Sequence, residues 1–65
     1  MKQSTANALL KAYNSLQEIV VELYDEFQKA VENKDDADAS LLEARAEILF
    51  DQAEAILAVL EEQNG

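Results

Sequence analysis

The sequence predicts an all-α fold, an antiparallel two-helix hairpin that pairs with a second copy of itself into a four-helix bundle. Three observations carry that prediction. Proline is absent and the single glycine is the last residue, Gly65, so nothing inside the chain breaks a helix. Apolar residues recur at alternating steps of three and four in two separate runs. Between the runs lies one aspartate-rich stretch, across which the apolar register is lost.

The first run is Leu9, Tyr13, Leu16, Val20, Leu23, Phe27 and Ala30. It is an unbroken heptad seam, with Tyr13, Val20 and Phe27 at a positions and the leucines at d. Lys11, Glu18, Glu22, Asp25, Lys29 and Glu32 fall on the other side. Ser4 or Thr5 can cap the start by accepting from a free backbone N–H. The first helix is therefore expected over about 5–33, roughly 43 Å long at 1.5 Å per residue.

Residues 33–40, Asn-Lys-Asp-Asp-Ala-Asp-Ala-Ser, are the only polar stretch long enough to connect two helices. Asn33 and Lys34 suit a helix C-terminus, and Asp35, Asp36 and Asp38 suit the positive end of the next helix dipole. Ser40 with Glu43 also fits a capping box, which would start that helix later. The turn is placed near 33–37 and the second helix over about 37–62. Its seam is Leu42, Ala46, Leu49, Ala53, Ile56 and Leu60. From Ala30 to Leu42 is twelve residues, not a multiple of seven, so one continuous rod would carry its two stripes on different sides. A hairpin brings them together.

Each helix is apolar beyond its seam. The first adds Leu10, Tyr24 and Val31 on one flank and Ile19 on the other, with Val21 further out. The second adds Phe50 and Leu57 on one side and Leu41, Ile48 and Val59 towards the other. Two packed helices cover one stripe of each. A chain of 65 residues is one domain, and at that size a single core is hard to stabilise alone. Disulfides are excluded because cysteine is absent. Association of two hairpins remains, with the twelve seam residues from Leu9 to Phe27 and from Leu42 to Leu60 as the bundle core. Small Ala46 and Ala53 would face large Tyr13, Val20 and Phe27, which fills layers without voids.

This layout resembles Rop-type hairpins, which dimerise into antiparallel four-helix bundles. The resemblance covers most of the length and lies in the layout and the small and large core layers. Binding of paired RNA loops, which that resemblance would imply, uses a polar and basic helical face. Here the outer face of the first helix carries Glu18, Glu22, Asp25 and Glu32 against Lys11 and Lys29, which departs from that pattern.

The formal charge is −9, which opposes direct binding of nucleic acid or anionic membrane and favours a basic partner. The charge is unevenly divided. Residues 1–34 hold five acids and four bases; residues 35–65 hold nine acids and one base. Glu43, Glu47, Asp51 and Glu54 form a stripe with roughly 5–6 Å between successive groups, near the spacing of strand phosphates.

No catalytic, cofactor or metal set emerges. Histidine and cysteine are absent, which removes the commonest transition-metal ligands and the commonest acid–base residue. Asp36, Asp38, Ser40 and Glu47 imitate part of a calcium loop, but Leu41 stands where the sharp-turn glycine belongs, and helix N-terminal charge accounts for them better. The carboxylates at helical spacing lack a basic cluster that would hold a phosphate beside Mg²⁺. Arg45 would be solvated or paired with a glutamate such as Glu47. Tyr13 belongs to the seam, whereas Tyr24 is the better contact residue.

The expectation is a non-enzymatic, cytoplasmic interaction protein, a homodimer that binds another protein through Tyr24, Val21 and the acids Glu43, Glu47, Asp51 and Glu54. The cytoplasmic expectation rests on the absence of an apolar signal core behind Met1–Thr5 and of any long apolar run. One alternative is a nucleic-acid mimic that inhibits a basic DNA-binding or nuclease-type protein. Another is a purely structural or designed bundle, which the idealised composition suits.

Overall fold

A computed structural model describes residues 1–64. Two long helices, α1 (Gln3–Glu32) and α2 (Asp36–Asn64), pack against each other as a hairpin. Thirty residues at 1.5 Å per residue make about 45 Å, and the molecule measures 47 × 14 × 13 Å. The hairpin is thus one helix long and two helices wide.

The start of α1 differs from expectation. Ser4 and Thr5 lie inside the first turn, and Lys2 is the cap, with no side-chain hydrogen bond. The Lys2 carbonyl accepts from the Ala6 N–H at 3.0 Å. Gln3 Nε2 donates to Asn7 Oδ1 at 2.9 Å, a one-turn contact that supports the earlier start.

The turn is three residues long. The Asp35 N–H donates to the Ala30 carbonyl at 2.8 Å and the Lys34 N–H to the Val31 carbonyl at 3.0 Å. These are the paired bonds of a Schellman motif, with Lys34 in the left-handed region at φ 59°. Asp35 then starts α2: its Oδ1 accepts from the Asp38 N–H at 3.1 Å and its carbonyl from the Ala39 N–H at 3.0 Å. One aspartate both closes α1 and caps α2. Ser40, a candidate cap by its spacing to Glu43, sits inside α2, because Asp35 reaches the free N–H groups first.

Ala39, inside the expected helix of 37–62, extends the seam of α2 by one heptad before Ala46. Ala39, Ala46 and Ala53 are all buried, the last two with no exposed surface at all. On α1, Val20 and Ala30 are buried and the other seam residues are half-buried. Among the described residues no large side chain is fully buried. Alanines at every seventh position let two helices approach closely, and a single such contact leaves larger residues only half covered.

Candidate interaction surface

The twelve seam residues line the contact between α1 and α2 within one chain. Leu9, Tyr13, Leu16, Leu23 and Phe27 are half-buried and Val20 is buried; opposite them Ala46 and Ala53 are buried, and Leu42, Leu49, Ile56 and Leu60 are half-buried. Ala6 and Gln17 are also half-buried. Gln17 falls outside the apolar pattern because it is an amide, between Leu10 and Tyr24 on the same flank.

The flanking apolar residues lie in solvent. Val21, Leu41 and Val31 keep more than half of their surface, at 58 %, 57 % and 53 %, with Leu10 and Ile48 close behind. Ile19, Phe50 and Val59 are exposed as well, whereas Leu57 is half-buried. Leu10 and Leu57 share one shallow groove near the termini, with Ala6 and Leu60 at its base. That pairing identifies the flank of α1 carrying Leu10 as the neighbour of the flank of α2 carrying Leu57. At the turn end a second open groove is lined by Glu26, Lys29, Asp35 and Asp38, and is polar.

Tyr24 is exposed and meets Phe27 edge to face, with ring centroids 6.5 Å apart and planes at 84°. Phe27 belongs to the seam, so the Tyr24 ring is braced from within while its outer face stays in water. Val21 and Tyr24 are one turn apart on the same side of α1, and the fold brings them together.

Glu43, Glu47, Asp51 and Glu54 are all exposed on α2. At steps of four, four and three they are successive neighbours on one strip of the helix, with exposed Phe50 along one side of it and Ile48 along the other. Among the described residues the one ion pair is Lys29 with Glu26, 3.1 Å apart and largely in solvent, a contact worth little to stability. Arg45 makes no pair with Glu47; two residues apart on a helix, the side chains point in different directions. Asp36, Asp38, Ser40 and Glu47 lie along continuous helix and cannot wrap an ion. Among the described residues no group of three or more acids could hold a metal, and no helix is long and apolar enough to cross a membrane.

The surface as a whole is large for the chain. It measures 4883 Å², against about 4,100 Å² expected of a folded monomer of 7.2 kDa. The radius of gyration is 14.9 Å, against about 11 Å for a compact domain of this length. Both quantities describe an elongated two-helix slab with one thin core. Comparison with protein-family models, with curated proteins and with solved structures found no match for the chain.

Proposed function

We propose that this chain is a non-enzymatic interaction protein in which two hairpins associate as a four-helix bundle, and that the dimer binds and regulates another protein. The observation that carries the reading is the uncovered apolar area. Nine large aliphatic or aromatic side chains of its helices are exposed. A second copy is the first occupant of that area, and the acidic edge of α2 at Glu43, Glu47, Asp51 and Glu54 suits a basic protein beyond it.

Sedimentation equilibrium at micromolar concentration tests the association. The expected mass is twice 7.2 kDa, and a melting temperature that rises with protein concentration should accompany it. A clean monomer at all concentrations would overturn the bundle.

A second reading, mimicry of a nucleic acid, draws on the four exposed acids of α2. It requires that Glu47→Lys with Asp51→Lys abolish capture of a basic partner and that salt weaken capture steeply. The exposed Ile48 and Phe50 that flank the stripe favour the protein-binding reading, since a phosphate strand offers no such apolar groups.

A further inference from the structure

Steps of seven keep to one side of a packed helix, so the groove at the termini can be followed along the hairpin. At the termini Asn7 and Leu10 of α1 share it with Leu57 and Glu61 of α2. On α1 the two rows continue as Asn14, Val21 and Gln28 and as Gln17, Tyr24 and Val31. None of these residues is charged. On α2 the rows run back towards the turn as Phe50 and Glu43 and as Glu54 and Glu47. The four glutamates and Phe50 are exposed. This side is thus a furrow about 36 Å long, with an uncharged wall on α1, an acidic wall on α2 and no base in either. The opposite side mixes signs. There Glu26, Lys29 and Asp38 line one groove, and Arg45 follows Asp38 by one heptad.

We infer that the furrow seats an amphipathic helix of a partner protein. Its apolar stripe lies on Leu10, Tyr24, Phe50 and Leu57, and a lysine- or arginine-rich edge meets Glu47, Glu54 and Glu61. The inference rests on the reading that the chain binds another protein, and it names that partner's chemistry. It does not require the bundle, because Ile19, Leu41, Ile48 and Val59 leave the opposite side open to a second copy.

Charge complementarity chooses the occupant. A cationic edge answers the four carboxylates of one wall, while the neutral wall accepts an apolar stripe. A nucleic-acid strand would be repelled. A second copy fits this side poorly: in a two-fold pair the same side meets itself, and neither copy brings a base.

Backbone bonding chooses the form. Both walls are continuous helix, so their N–H and C=O groups are bonded within each helix and offer no edge to an extended strand. A helix satisfies its own backbone and needs only side-chain contacts, and the furrow between two packed helices receives it as a third.

The probe is a synthetic amphipathic helix of about 24 residues, the length of the furrow at 1.5 Å per residue. It carries leucine on one face and lysine along the edge, and a control peptide has glutamate for every lysine. Fluorescence anisotropy should show binding of the lysine peptide and none of the control. Glu54→Gln with Glu61→Gln should weaken binding at least about ten-fold, and so should Phe50→Ala. Glu26→Gln with Glu62→Gln removes the same charge from the opposite side, and Ile48→Ala trims an apolar group there. These should change binding by less than about two-fold. All of these residues are exposed, and circular dichroism confirms that each variant keeps its helices. Equal weakening by the two glutamate pairs would mean attraction to net charge alone and overturns the site. Equal binding of the two peptides, or none of the lysine peptide, overturns it as well. Sedimentation without peptide separates the two readings. A monomer that keeps site-specific peptide binding removes the bundle and leaves the furrow standing. A dimer that Phe50→Ala dissociates puts a second copy in the furrow and overturns its occupant.

Discussion

At the residue scale the turn concentrates the sequence-specific chemistry. Lys34 holds φ 59°, a region in which a side chain with a Cβ is strained and glycine is not. Lys34→Gly is expected to stabilise the fold by about 0.5–1 kcal/mol, the relief of strain exceeding glycine's greater unfolded-state entropy. Asp35→Ala should act in the opposite direction by about 1 kcal/mol, because its carboxylate caps the Asp38 N–H. Urea denaturation of the two variants at one protein concentration checks both signs. The turn was readable as a place but not as a geometry. Asn33, Lys34 and three aspartates announce a helix end and a helix start, yet Asp35, Asp36 and Ser40 are all able caps. Which one serves depends on where the backbone of α1 runs out of carbonyl partners.

At the element scale the two helices are different objects. α1 keeps its charges on one side, whereas α2 carries apolar residues on its seam, on the Phe50 and Leu57 flank, and on the far edge at Leu41 and Ile48. The buried stripe of α2 is alanine at Ala39, Ala46 and Ala53. Its tolerance for volume is therefore low. Ala53→Leu should destabilise by about 1–3 kcal/mol through overpacking, while Ala44→Leu, on the exposed side, should be nearly neutral; thermal melts of the pair distinguish them. The heptad spacing made Ala46 and Ala53 legible as seam residues. Ala39 was less legible, because it sits among aspartates and serine, although it lies inside the expected helix one step of three before Leu42. Tyr24 and Val21 were legible as flanking residues; the bracing of Tyr24 by Phe27 required the side-chain positions.

At the scale of the whole molecule, charge and area oppose each other. The apolar flanks favour association, and a net charge of −9, eight units of it from residues 35–65, resists it. Added salt shortens the reach of that repulsion to about 8 Å at physiological ionic strength and 3 Å at 1 M. The melting temperature is accordingly expected to rise by a few degrees between low salt and about 0.5 M sodium chloride, as read by circular dichroism. A fall with salt would mean that attractive ion pairs outweigh the repulsion, which the single pair among the described residues, Lys29 with Glu26, gives no reason to expect.

The sequence by itself determined that there are two helices, which residues face between them, and that the chain folds back. Periodicity and the absence of internal glycine and proline are local properties, and a register break of twelve residues leaves few ways to join two seams. Only the tertiary structure decided how the chain turns and how much stays outside the core. A Schellman turn closed by Lys34 and Asp35, and close packing on alanine, depend on bonds and distances between residues that spacing does not relate. The same packing leaves Leu10, Val21, Tyr24 and Val31 in water, because one helix can cover only one side of another.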